Sequence, residues 1–244
     1  MAVPILDLAG GTASYNVNSS GTTSLVLNNG GVSLGNLATS HGNGFCYAFT
    51  VSNGSHVTGV TDSLGTFVGA FAFAAATIVP VGAGSTELWR ARIPSAGLTG
   101  NKITVAFGGG NTYAVGMAWC VSDPSGGVLL VDADASTPNG STTEGFITTT
   151  SPNCFISAGY RGSVSNPAAG AGMSVIFDSS IATLSQFSLA EYVTKVSPGS
   201  QGMTFNVGDY GNVACFIAES VSLTGTVVAA SNSLGIMGLS AAEW

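Results

Sequence analysis

Residues 44–51 read Gly-Phe-Cys-Tyr-Ala-Phe-Thr-Val, and this short stretch decides the class of fold. Large apolar side chains occupy every second position, Phe45, Tyr47, Phe49 and Val51, and smaller residues fill the positions between them. Because successive side chains of a β-strand point to opposite faces of a sheet, this alternation predicts a strand with one strongly apolar face.

The same two-residue period recurs along most of the chain. In residues 112–123 it brings Val115, Met117 and Trp119 to one face. Further runs of this kind lie at 22–28, 55–61, 67–73, 102–107, 128–134, 143–149, 153–160, 172–177, 188–196, 202–207 and 212–222. Turn-forming pairs such as Asn29-Gly30 and Asn53-Gly54 separate the runs. Many short strands with regular turns predict an all-β sandwich or barrel.

The second face of several predicted strands carries small residues. In 44–51, 112–121 and 153–160 this face is largely Ala, Gly, Cys or Ser, so another layer can approach closely. That layer is a loop, a second sheet or a neighbouring subunit. In residues 88–93 the alternation instead turns Arg90 and Arg92 outward, and we expect these two side chains at a subunit interface.

Charge is scarce in this chain. Five Lys or Arg and twelve Asp or Glu give 7% charged residues and a net charge of −7, whereas ordinary soluble domains carry about 25%. A membrane helix is not expected, because the longest apolar run, 67–81, is interrupted by Gly69 and Pro80. Direct nucleic-acid binding is not expected either, since five cations cannot form a basic surface. We expect a surface that is covered by other subunits or exposed outside the cell.

The cysteines and the chain ends complete the outline. Four widely spaced cysteines, Cys46, Cys120, Cys154 and Cys215, lie in apolar runs and are expected to be buried free thiols made in a reducing cytosol. The N-terminal residues lack the basic and apolar segments of a secretion signal. We expect one sandwich domain over 1–224 with a long loop at 28–44. Residues 225–244 are expected to form a tail or short helix that either folds back on this domain or docks on a partner.

Few residues indicate catalysis. Residues 31–35, Gly-Val-Ser-Leu-Gly, match the nucleophile elbow of hydrolases, but the residues that follow do not predict the required helix. The two histidines, His41 and His56, have no evident metal or nucleophile partner and are interpreted as ordinary polar residues. A glycosidase needs two facing carboxylates, and nothing in the sequence selects such a pair.

Three acidic residues stand out by position. Asp132 and Asp134 are two apart in a predicted strand, which places both on one face. They either hold Ca²⁺ together with loop carbonyls or form a solvated strand end; no other cofactor is indicated. Glu219 follows the wholly apolar run 214–218 and is either a strand-end charge or the partner of an arginine.

The aromatic residues fall into two groups. Trp89 and Trp119 share strand faces with aliphatic residues and are expected in the core. The candidates for surface contact with a glycan or a partner protein are Tyr113, Tyr160, Tyr210 and Trp244.

Eight segments together resemble a Gly/Ser/Thr-rich β-sandwich module of phage virion proteins and bacterial surface proteins. They are the Thr-Asp-Ser-x-Gly turn within 60–66, the Leu-Trp-x-Ala strand 88–91, the Ile-Thr-Val strand within 101–107, and residues 114–121, 148–158, 189–192, 198–199 and 213–221. The resemblance spans residues 12 to 222. It fails at residues 119–122, Trp-Cys-Val-Ser, where the module often has an acidic–aromatic pair, so no role of that pair is carried over.

The resemblance implies an antiparallel two-sheet β-sandwich, jelly-roll-like, without catalytic residues. We therefore expect a non-enzymatic virion protein of a phage or phage-like particle: a capsid decoration, a head spike or fibre, or a tail-associated subunit. It would form a homo-oligomer, contact other virion proteins, assemble in the host cytoplasm and be exposed after release. The alternative is a carbohydrate-binding adhesion module that recognises host glycans.

Overall fold

The computed structural model describes most of the chain as β-structure. The described residues are 3–9, 14–18, 21–27, 36–81, 84–111, 113–137, 144–162, 168–181, 186–205 and 213–222. The predicted tail 225–244 and residues 28–35 of the predicted long loop lie outside them. Among the described residues the one helical element is a 3-10 turn at Gly69–Phe71.

Eighteen strands are described. In chain order they are β1 (Ile5–Leu6), β2 (Ser14–Asn18), β3 (Thr22–Val26), β4 (Leu37–Ala38), β5 (Phe45–Ser52), β6 (Val57–Asp62), β7 (Ala74–Val81), β8 (Gly84–Arg92), β9 (Thr99–Asn101), β10 (Ile103–Asn111), β11 (Ala114–Ser122), β12 (Leu129–Ser136), β13 (Glu144–Thr149), β14 (Cys154–Gly162), β15 (Ser174–Ile181), β16 (Gln186–Lys195), β17 (Gly199–Thr204) and β18 (Val213–Val221).

Two large and two small sheets organise these strands, and all the pairings are antiparallel. Sheet A has the order β1-β11-β5-β8-β7, with β2 also pairing β11. Sheet B has the order β3-β10-β6, sheet C the order β12-β18-β14-β16-β15, and sheet D consists of β13 and β17. A short β4–β9 pair lies apart from these four.

The four sheets stack in the order B, A, C, D. Each of the two large sheets, A and C, therefore buries side chains on both of its faces. Phe45, Tyr47 and Phe49 of sheet A pack with Phe155 and Ile217 of sheet C. The opposite face of sheet A packs on sheet B, and the opposite face of sheet C packs on sheet D. The small-residue faces noted in the sequence are therefore covered by further sheets of the same chain.

Glycine sets how closely the layers approach. A Cβ added at Gly159 of sheet C would overlap the Phe49 ring of sheet A, and one added at Gly116 would overlap the Leu27 side chain beside sheet B. These two positions have room for no side chain, since protein interiors are already close-packed.

The Thr-Asp-Ser-x-Gly segment forms the turn after β6. The Asp62 carboxylate accepts hydrogen bonds from the backbone N–H groups of Leu64, Thr66 and Phe67 and from the Asn101 amide. Burial would raise the pKa of Asp62, but these hydrogen bonds outweigh it and lower the pKa. The aspartate is thus explained as a turn-forming residue.

The two halves of the molecule repeat one strand arrangement. The sheet A order β2-β11-β5-β8-β7 corresponds strand by strand to the sheet C order β12-β18-β14-β16-β15, and β3-β10 corresponds to β13-β17. When Cys46 is matched with Cys154, the registers also match Glu87 with Glu191. They likewise align residues 114–122 with 214–222, which share the pattern Ala-x-x-x-Ala-x-x-Val-Ser.

The predicted all-β antiparallel sandwich is confirmed, with four stacked layers in place of two. The jelly-roll connection and the single-domain boundary 1–224 stay predictions. The described residues contain no helix with the length and apolar character that a membrane span requires.

Candidate functional site

The contact between the two large sheets brings together the arginines that the sequence placed outward. Arg92 of β8 lies over the Phe45 ring, with Cζ 4.5 Å from the ring centroid. Its Nη1 donates to the Asn43 carbonyl at 3.3 Å and its Nη2 to the Leu129 carbonyl at 3.0 Å. Arg92 therefore ties β8 to β12 of the other half of the same chain.

Arg90, two residues earlier, faces the same way. Its Nη1 lies 3.9 Å from Oδ2 of Asp134 on β12, beyond hydrogen-bond distance, and makes no hydrogen bond with the described residues. The expectation of an outward arginine face is corrected, because sheet C of the same chain covers much of it. A role of either arginine between subunits stays a prediction.

A buried acid lies close to this arginine. Glu219 of β18 is fully buried on the face of sheet C that meets sheet A. Burial raises its pKa to about 8, against the lowering effects of the Tyr47 hydroxyl and the Arg90 charge. At neutral pH the carboxyl group therefore holds its proton. Of the two interpretations from sequence, an acid near an arginine is favoured over an exposed strand-end charge.

An open groove of about 350 Å³ lies on the outside of this contact. Its lining includes three alanines within residues 70–74, Leu130 and Val131 of β12, and Arg90 and Arg92. The groove thus combines an apolar lining with two guanidinium groups. Sequence alternation does not reveal it, because the lining residues come from four separate segments of the chain.

The two aspartates of the predicted calcium pair are separated by a β-bulge and have different partners, and calcium binding itself stays a prediction. The register of β12 against β18 shifts between Val131 and Ala133. Asp134 consequently points toward Arg90, while Asp132 accepts hydrogen bonds from Thr150 and from the Ser151 backbone N–H at 2.7 to 2.9 Å. The i and i+2 rule that put both on one face fails at a bulge. The described residues also hold no cluster of three or more potential metal ligands.

The tyrosines predicted at the surface are buried where they are described. Tyr113 is 7% exposed, packs between sheets A and C, and accepts a 2.6 Å hydrogen bond from Arg161 Nη2. Tyr160 is 1% exposed and stacks on Phe205, with 4.4 Å between the ring centroids. Neither ring is free to stack on a sugar, so this expectation is corrected. Tyr210 and Trp244 lie outside the described residues.

The expected core residues are confirmed. Trp119 is fully buried and Trp89 packs against the core between sheets A and B. All four cysteines are buried and unpaired. The Gly-Val-Ser-Leu-Gly segment, residues 31–35, lies outside the described residues.

One buried carboxylate lies between a hydroxyl and an imidazole. Glu87 accepts hydrogen bonds from the Ser85 hydroxyl, from Trp89 Nε1 at 2.8 Å and from the Val57 N–H at 2.9 Å. His56 Nδ1 lies 3.6 Å away on the same side. In a nucleophilic triad the imidazole lies between the hydroxyl and the carboxylate. Here the Glu87 carboxylate lies between the hydroxyl and the imidazole, an arrangement that suits the linking of neighbouring strands.

Asp7 repeats this arrangement. Its carboxylate accepts a 2.6 Å hydrogen bond from the Ser122 hydroxyl and bonds from the Ser40 and His41 backbone N–H groups, while His41 Nδ1 lies 3.3 Å away. Burial would raise the pKa of Asp7, but these hydrogen bonds lower it. The aspartate fastens the N-terminal segment to β11.

One surface region is strongly apolar. No charged residue occurs between Asp62 and Glu87, and Val68, Phe71 and Ile78 within that interval are exposed. The region continues into β7, which is the edge strand of sheet A and pairs only with β8 among the described strands. An uncharged edge of this length is a template for strand pairing with another chain.

Comparison of this chain with protein-family models, with curated proteins and with solved structures gives no match.

Proposed function

We propose that this protein is a non-enzymatic structural subunit of a phage or phage-like particle, built as a rigid stack of β-sheets that associates with copies of itself. The places considered are a capsid decoration, a head spike or fibre, and a tail-associated position. The sequence resemblance to virion β-sandwich modules supports this class of protein.

The observation that carries the proposal is the exposed edge strand β7. Proteins that stay monomeric protect such edges with charges, prolines or bulges. Strand β7, Ala-Ala-Ala-Thr-Ile-Val-Pro-Val, has no charge. Its register shift lies between Ala75 and Thr77 and its proline stands next to its last residue, so residues 77–79 form a regular, uncharged stretch between the two. Pairing of β7 with the same strand of a second copy would extend sheet A across the contact and cover the exposed Ile78.

The buried carboxylates support the non-enzymatic part of the proposal. Glu87 and Asp7 each use their oxygens to hold backbone N–H groups and hydroxyls of neighbouring strands. Ser85 and Ser122, the hydroxyls beside them, are themselves buried. In both clusters the hydroxyl donates to the carboxylate and, being fully buried, is out of reach of a substrate.

Light scattering coupled to size-exclusion chromatography tests the association. The matched variants are Ile78→Lys, at a residue 48% exposed on β7, and Val196→Lys, at a residue 67% exposed between β16 and β17. We expect the wild type and Val196→Lys to run as the same oligomer, and Ile78→Lys to shift to monomer because a buried ammonium opposes the contact. A wild type that stays monomeric at all concentrations, or equal behaviour of both variants, contradicts this contact.

Glycan recognition is the second candidate function. Of the four aromatic residues expected to contact a glycan, Tyr113 and Tyr160 are buried, and Tyr210 and Trp244 lie outside the described residues. A different feature, the arginine-lined groove, is the one observation that favours glycan recognition.

A further inference from the structure

Positive charge is concentrated at the groove beside sheets A and C. The chain has only five Lys or Arg, and two of them, Arg90 and Arg92, line this one groove. Because the protein as a whole has a net charge of −7, the two arginines give the groove a charge opposite to that of the whole chain. Positive charge at this position favours an anionic ligand.

The two arginines differ in how far they are engaged. Arg92 donates to two backbone carbonyls and stacks on Phe45, so it is held in place. The Arg90 side chain is 31% exposed, although its Nη1 is buried and lies 3.9 Å from Asp134, too far for a hydrogen bond. The guanidinium has further N–H groups that can donate to a ligand. A guanidinium in this state can exchange a loose ion pair for a bidentate contact with a planar carboxylate.

The shape of the groove indicates the rest of the ligand. Three alanines within residues 70–74, together with Leu130 and Val131, supply much of its apolar lining. Small ligands bind in pockets that bury most of their surface, whereas this groove is partly open to solvent. An open groove with a largely apolar lining and two arginines suits one ring of an acidic polymer whose other units remain in solvent.

We propose that this groove binds an acidic sugar residue of a polysaccharide, with the sugar carboxylate on Arg90 and the ring against the alanines. Arg92 adds positive charge and holds the floor of the groove in position. Ala74, the first residue of β7, belongs to the lining of the groove, whereas Ile78 does not, so different variants test the groove and the association through β7.

Isothermal titration calorimetry tests the site with three acidic probes: an oligogalacturonate, a hyaluronan fragment and an oligosialic acid. The methyl ester of the oligogalacturonate and a neutral galactose oligomer serve as controls, and free galacturonate separates a polymeric ligand from a small one. We expect at least one acidic oligomer to bind more tightly than its free monosaccharide, with affinity that falls as salt rises.

Three variants locate the binding. Arg90→Gln should weaken it about tenfold or more through loss of a charge-assisted contact. Lys102→Gln removes the same charge from an exposed residue outside the groove and should change affinity less than about twofold. Ala72→Phe fills the groove from an exposed position, so it should abolish binding even if Arg90→Gln fails to fold.

The proposal is overturned if no acidic oligomer binds, if the ester or the neutral oligomer binds equally well, or if Ala72→Phe binds like the wild type. Binding of an acidic peptide in place of every sugar probe also overturns it. Light scattering of the β7 variants is read separately, so failure of this site and failure of the proposed assembly are distinguishable.

Discussion

The buried Glu219 makes stability depend on pH in a direction opposite to that of most carboxylates. Its pKa rises from an ordinary 4.5 to about 8 in the folded protein, so between these values the folded state keeps a proton that the unfolded chain releases. The contribution of Glu219 to stability is therefore fully present below about pH 4.5 and is lost as pH rises toward 8. At about 1.4 kcal/mol per pKa unit, the loss is of the order of 4 to 5 kcal/mol.

Glu219→Gln removes this titration and keeps the shape of the side chain. We expect it to match the wild type at pH 5 within about 1 kcal/mol, and to be more stable by about 3 to 5 kcal/mol at pH 9, where the wild type must bury a charge. Urea unfolding, followed by the fluorescence of the buried Trp119, measures the free energy at each pH.

Glu144→Gln is the matched control, because Glu144 is exposed and its loss should leave the pH slope unchanged. Glu191, whose pKa burial raises to about 7, keeps a smaller slope of the same sign in every variant. If Glu219→Gln and the wild type lose stability in parallel from pH 5 to 9, the assignment of a buried protonated acid is refuted.

Three further predictions concern packing and local structure. Gly159→Val should cost about 2 kcal/mol or more in urea unfolding by overlap with Phe49, whereas Gly59→Ala, where a Cβ meets no atom within 4 Å, should cost less than about 1 kcal/mol. Asp62→Ala should lower the free energy of unfolding by about 2 kcal/mol, because the backbone N–H groups that donate to Asp62 lose their acceptor. A variant as stable as the wild type would contradict the turn assignment. The buried thiols, among them Cys46, should react with Ellman's reagent only after unfolding; fast reaction in native buffer would contradict their burial.

Strand alternation predicted which residues share a face but not what covers that face. The sequence placed Arg90 and Arg92 opposite Trp89 and Ala91, and the structure keeps that division. Period-two alternation does not tell whether the second face of a strand meets solvent or another sheet. The four-layer stack could therefore not be predicted from it. The bulge in β12, which separates Asp132 from Asp134, likewise left no local signal.

The internal repeat was detectable only in part. Residues 114–122 and 214–222 share Ala, Ala, Val and Ser at equal positions, but the matching strands elsewhere are separated by unequal intervals, so a search at a fixed period loses them. Glu219 is easier to recognise from sequence, because it is a single acid that follows a wholly apolar run. Burial of such a residue in a β-sheet raises the pKa of its carboxyl group and keeps the group neutral.

Quantitative mass spectrometry of density-gradient-purified particles, from a culture that encodes this chain, is the most direct test of the proposed structural role. A structural subunit should sediment with the particles in a fixed ratio to the major capsid protein and remain after a high-salt wash. Recovery of the chain only from the soluble fraction, with particles that lack it, would contradict the proposed role.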